Sequence, residues 1–195
     1  TDKVPIIIAG GSFNAQGRET MLTEAGRKIL TELIERVNDK KAYFVIGHKM
    51  QGYEKAIVDI SRNLNKKFEI DAIIPKIITE NTKNNILKEN IDGIRISTEN
   101  EDSGIYKSFN YEIFERRSSV VLAFDGNSPV SNLVQEAKNG KGKSKIYVNE
   151  ENSSLNEKAK SLHGYVTAFN LKQDIVNKIL QDMPEIEDNE KIKKI

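Results

Sequence analysis

Residues 6–14 read Ile6-Ile7-Ile8-Ala9-Gly10-Gly11-Ser12-Phe13-Asn14, an apolar run that breaks into a glycine pair ahead of a long amphipathic segment. A strand buried on both faces reads as such a continuous run, because helices cover both sides of a parallel sheet. Glycines directly after it turn tightly and let backbone N–H groups approach a phosphate or ribose at the positive end of the next helix. The pair alone is a weak sign, since glycines also end strands for structural reasons. A second break of the same kind adds weight: Tyr43-Phe44-Val45-Ile46 runs into Gly47-His48-Lys49-Met50-Gln51-Gly52-Tyr53-Glu54. Two such loops at strand ends point to one shared crevice.

Outward from these two strands the chain keeps alternating. Met21, Leu22, Ala25, Ile29, Leu33 and Val37 recur at three- and four-residue spacing, which predicts a helix over about Gly17 to Asn38. Ala56, Ile57, Ile60 and Leu64 mark a helix after the second strand, and Phe68 to Ile74 reads as a third strand stopped by Pro75. A short helical or irregular stretch around Thr82 to Glu89, a strand near Gly93 to Ile96 and a helix over Ser103 to Arg117 follow. Ser119 to Phe124 is another buried strand, followed by a helix from Ser128 to Asn139, a strand at Lys145 to Val148, an edge strand at Gly164 to Ala168 and a helix from Leu171 to Leu180. Strands spaced by helices of ten or more residues predict βαβ crossovers and a mostly parallel sheet, an α/β three-layer sandwich. In such a sheet ligands sit beyond the carboxyl ends of the strands, where strand order reverses.

With 195 residues, one compact domain over 1–182 and a charged tail over 183–195 are expected. Thirty basic and twenty-nine acidic residues leave a net charge of +1, so no global field points to nucleic acid or an anionic membrane. Cysteine is absent, which excludes disulfides and thiolate metal sites. No apolar run approaches the roughly 20 residues of a spanning helix, and the reading is of a cytoplasmic protein. The chain opens at Thr1 and enters its first strand within a few residues. That start is read as the beginning of a domain that follows another in a longer protein.

Each candidate group has a bland alternative. Gly10, Gly11, Ser12, Phe13 and Asn14 form either a phosphate or ribose cradle or an ordinary turn and helix cap; they match neither a Walker loop nor the full G-x-G-x-x-G fingerprint. His48, within the loop from Gly47 to Gly52 and Tyr53, either donates to a phosphate, stacks on a base, or is solvated. Arg116 and Arg117 precede the strand at Val120, where arginine complements a helix C-terminus or makes a bidentate bond to phosphate. Ser128 and Pro129 form an N-cap and first-turn pair, leaving Asp125 and Asn127 as candidates for ribose hydroxyls. Glu136 lies two turns into that helix, on the surface unless it borders the crevice. Lysines 138, 141, 143 and 145 cluster in a helix-to-strand loop, at the sheet edge opposite the crevice, and read as a solvated turn. His48 and His163 lie far apart without a carboxylate cluster, and neither a metal nor a resident cofactor is expected.

Taken together, the strand into Gly10-Gly11-Ser12, the Val45-Ile46-Gly47 loop that reaches Gly52-Tyr53, the Ile73-Ile74-Pro75 strand end and Arg116-Arg117 before Val120 to Asp125 resemble the SLOG superfamily. This Rossmann-like group contains the LOG phosphoribohydrolases and the DprA proteins, and the similarity spans about Val4 to Val148. LOG enzymes carry P-G-G-x-G-T-x-x-E at the strand end where this chain has Asp125-Gly126-Asn127-Ser128-Pro129-Val130-Ser131-Asn132-Leu133, with Leu133 in place of the catalytic glutamate. The chain looks most like the SLOG domains of sirtuin- or TIR-fused antiphage effectors of the Thoeris type. That resemblance implies a sensor of a cyclic ADP-ribose isomer, no catalytic residue, a fused N-terminal effector and a homodimer or higher oligomer. A second resemblance, to nucleoside deoxyribosyltransferases, implies cleavage of an N-glycosidic bond with Glu136 as the carboxylate.

Overall fold

The computed structural model describes residues 3–10, 20–74, 80–96, 114, 118–126, 128–140 and 144–183. Gly11, Ser12, Phe13, Asn14, Arg116, Arg117, Asn127 and the helix expected over 103–117 lie outside the described residues, Phe114 excepted. Among the described residues there are seven strands, and the order begins β1 (Val4–Ala9), α1 (Glu24–Arg36), β2 (Ala42–Ile46), α2 (Gly52–Asn63), β3 (Ile70–Ile74), α3 (Glu80–Lys88) and β4 (Gly93–Ile96). There follow β5 (Val120–Ala123), α4 (Ser128–Asn139), β6 (Lys145–Asn149), α5 (Ser153–Ser161), β7 (Val166–Phe169) and a last helix, α6, over 175–183.

All six strand pairings are parallel, and the strands lie in the order β4-β3-β2-β1-β5-β6-β7. The Rossmann-like three-layer sandwich expected from the sequence is therefore present, with a sheet that is wholly parallel among the described residues. Side chains leave a strand alternately to its two faces. Ile6, Ile8, Phe44, Ile46, Leu122 and Phe124 accordingly join one core, with Leu30 and Leu33 of α1, Ile57 of α2, Ile86 of α3 and Val176 and Ile179 of α6. Ile7, Ala9, Val45, Val121 and Ala123 join the other, with Leu133 and Val134 of α4 and Leu155 of α5. Two faces buried at once is the physical reason that β1, β2 and β5 read as unbroken apolar runs.

Two helices start or end elsewhere than the sequence reading placed them, and one was not expected. Residues 20–23 are not helical, and α1 starts only at Glu24, because the Thr23 side chain caps it by accepting the Gly26 N–H at 3.0 Å. Met21, counted on its apolar face, is 79% exposed. Helix α5 was not foreseen at all; it carries few apolar residues and is set by Asn152, whose side chain accepts the Leu155 N–H at 3.1 Å. The last helix runs over 175–183, later than the predicted Leu171 to Leu180, and Met183 is buried in the first core. No helix among the described residues is long and apolar enough to cross a membrane.

Candidate functional site

Strand order reverses at β1, which has β2 on one side and β5 on the other. The crevice of an open α/β sheet therefore lies beyond Ala9 of β1 and Ala123 of β5. The two strand ends are joined there by the Phe124 N–H, which donates to the Ala9 carbonyl at 3.0 Å. One residue further, the Gly10 carbonyl accepts the Tyr53 N–H at 3.0 Å, which ties the end of β1 to the first turn of α2.

Glycine is demanded at both sides of that joint. Gly10 has φ +137°, and a Cβ on it would lie 3.0 Å from the Tyr53 ring and 3.3 Å from the Asp125 nitrogen. Gly52 has φ +54°, and its Cβ would come within 2.5 Å of the Gly10 carbonyl oxygen and against Thr20. The two glycine loops of the sequence thus meet through their backbones. Tyr53 fills the space behind them: it is 2% exposed and stacks flat on Phe124, with ring centroids 4.4 Å apart and planes 6° apart. Burial pushes its phenol above the ordinary value, opposed by hydrogen bonding to Thr23. Its side chain packs as the buried backing of the crevice.

Asp125 and Gly126 form the other lip. The Gly126 N–H donates to Asp125 Oδ1 at 2.8 Å, and the Asn152 amide donates to the same oxygen. Asn149, buried at the end of β6, donates to the Phe124 carbonyl at 2.8 Å. These two asparagines, absent from the sequence candidates, brace the loop from the end of β6 and from the N-cap of α5. Ser128 opens α4 just beyond this lip, so the N-terminus of that helix lies at the same edge. Leu133, the residue aligned with the LOG glutamate, is fully buried in the second core. Glu136 is half-buried and lies eight residues along α4 from Ser128, about 12 Å further down the helix axis at 1.5 Å per residue. The structure brings Gly10, Gly52, Tyr53, Asp125 and Ser128 together and leaves Glu136 away from them.

At the neighbouring end of β2, the Gly47 N–H donates to the Glu54 carboxylate, which is 3% exposed. Burial pushes Glu54 up to about 7, against the opposite pull of the Gly47 N–H. His48 is half-buried, and burial together with the Lys49 charge lowers it to about 4, so its imidazole is neutral at pH 7. It offers a phosphate one neutral N–H and no charge. Thr20, packed against Gly52, is 8% exposed and its hydroxyl has no hydrogen-bond partner among the described residues. An unpaired buried hydroxyl is costly and marks a place for a polar partner. Nothing in residue type distinguished Glu54 or Thr20 from surface residues; their burial is a tertiary fact. No group of three or more His, Cys, Asp or Glu side chains among the described residues is placed to hold a metal ion.

No protein-family model and no curated protein matches the chain. Among solved structures, the molybdenum cofactor carrier protein MCP from Chlamydomonas reinhardtii matches with a TM-score of 0.56 at 11% sequence identity, over 92% of this chain and 97% of that one. Similarity at this identity concerns the path of the backbone, and it extends from end to end of the carrier's fold. The chain therefore adopts a Rossmann-like α/β sandwich whose architecture it shares with a cofactor carrier.

Proposed function

We propose that this domain binds a phosphate-bearing, nucleotide-derived ligand in the crevice between the ends of β1 and β5 and does not hydrolyse it. The observation that carries the reading is the joint at Gly10 and Gly52, where the ends of β1 and β5 and the first turn of α2 close on one another at the reversal of strand order, next to the start of α4. Asp125 supplies a carboxylate for ribose hydroxyls, and the unpaired Thr20 hydroxyl supplies a further polar contact. Leu133 supports the non-hydrolytic part, because an aliphatic core residue occupies the position of the LOG glutamate.

Cyclic ADP-ribose isomers are the ligand class favoured by the resemblance of the sequence to SLOG sensor domains. In that reading the domain self-associates and relays occupancy to an N-terminal effector. Calorimetric titration of the chain with cyclic ADP-ribose isomers, ADP-ribose and AMP, with chromatographic assay for released adenine, tests it. Binding of a cyclic isomer without base release is expected. Adenine release from AMP overturns the sensor in favour of an N-glycosidase, and the absence of heat with every nucleotide overturns nucleotide binding altogether. Molybdenum cofactor, named for the structural neighbour, is then the next ligand to titrate.

A further inference from the structure

At the opposite edge of the sheet, a cavity of about 430 Å³ opens between α2, the chain entering β3 and the turn entering β4. Its size suits a small molecule. Val58, Phe68 and Ile91 give it apolar wall, and Phe68 is held in place by Phe44, with ring centroids 4.8 Å apart. Ser61 lies in the same wall, 6% exposed, and its hydroxyl has no hydrogen-bond partner among the described residues. A serine inside a helix either points to solvent or bonds back to the carbonyl four residues earlier. This one forgoes that bond beside an open cavity.

The charges at the rim are unequally committed. Glu89 is held by the Lys55 ammonium at 2.6 Å and by Arg62 at 3.3 Å, and Asp92 accepts the Ile70 N–H at 2.7 Å. The Lys67 ammonium has no ion-pair partner among the described residues, and Arg62 places a single guanidinium nitrogen on Glu89. The carboxylates are spoken for, and the groups left over are donors: an ammonium, most of a guanidinium and a hydroxyl.

We propose that this cavity is a second ligand site, taking a small organic anion that carries one carboxylate or phosphate monoester group on an apolar or aromatic body. The headgroup meets Lys67 and Arg62 at the rim, and the body lies along the wall at Phe68. The Ser61 hydroxyl, whose position is set by χ1 alone, gains the partner it lacks by turning to the ligand.

The test uses the full chain and two probes, phenyl phosphate and benzoate, followed by backbone amide NMR shifts at millimolar concentrations. Shifts are expected at residues 58–70 and 89–92, with Gly10 and Gly126 at the crevice unmoved. Response to one probe identifies the headgroup class, and response to both defines a general anion site. Ser61→Ala should weaken probe binding about tenfold, the worth of one hydrogen bond to a charged group, without lowering the melting temperature, because it deletes an unpaired hydroxyl. Lys67→Met, at an exposed position, provides the same reading independently of α2 packing. Silence of the cavity residues with both probes, or affinity indifferent to both substitutions, overturns the proposal.

Discussion

At the carboxyl edge of the sheet, Gly10 and Gly52 touch through backbone atoms, and the lip at Asp125 is pinned by asparagine amides from the end of β6 and the cap of α5. At the amino edge, the cavity beside Ser61 is bounded by long side chains from α2 and the turns around it. One edge is fixed by conformations that only glycine adopts comfortably, the other by groups that reorient at little cost. The difference teaches where each kind of site tolerates change. A backbone-built crevice is rigid and intolerant, whereas a side-chain-built cavity is adaptable and energetically separable from the fold.

The largest effect is expected at the joint. Gly52→Ala combines a positive φ with contact on the Gly10 carbonyl and should cost about 4 kcal/mol by urea denaturation. A loss under about 1 kcal/mol would mean that the joint yields easily and that the two edges do not differ in kind.

Glu54 gives the next effect, read against pH. Its folded-state pKa is raised from 4.5 to about 7, so between those values the folded protein holds a proton that the unfolded chain releases. The stabilisation is full below pH 4.5 and is lost as pH rises through about 7. Glu54→Gln keeps an acceptor for the Gly47 N–H and removes the titration. Its stability relative to the parent should therefore rise by about 3 kcal/mol from pH 4 to pH 8. Parallel curves for the two proteins would return Glu54 to an ordinary carboxylate.

Asn149→Ala removes the buried donor to the Phe124 carbonyl and should cost about 2 kcal/mol in chemical denaturation. It should also loosen the crevice lip, visible as faster amide exchange at Gly126. At the amino edge Arg62→Ala breaks only a half-exposed pair with Glu89 and should change stability by less than ~0.5 kcal/mol. A larger loss there would make the cavity rim part of the fold's support.

The sheet was legible because burial on two faces leaves a long apolar word, as in Ile6 to Ile8 and Val120 to Phe124. The start of α1 was misread because Met21 and Leu22 fall by accident on its periodicity, while the deciding signal is the cap at Thr23. Helix α5 was unreadable from period because Leu155, Ala159 and Leu162 are its few apolar contacts and Asn152 sets its beginning. At the site, the glycines announced themselves by type. Glu54, Thr20 and Asn149 did not, because a glutamate, a threonine or an asparagine is made special here by what packs over it. Tyr53 was read for its place in a loop, and the fold uses that place to back the loop with an aromatic stack.

The pairing of Ile6 with Val120 joins strands more than a hundred positions apart in the chain, while β1 meets β2 through a single helix. Loop closure over such a span is paid for before its contacts give anything back. The segment from β1 to β4 can thus order early through neighbouring crossovers, and the crevice exists only once β5 has found the free side of β1. Ligand recognition is in this sense a report on completed folding: a chain stalled before that pairing holds α1, α2 and α3 and has nowhere to bind.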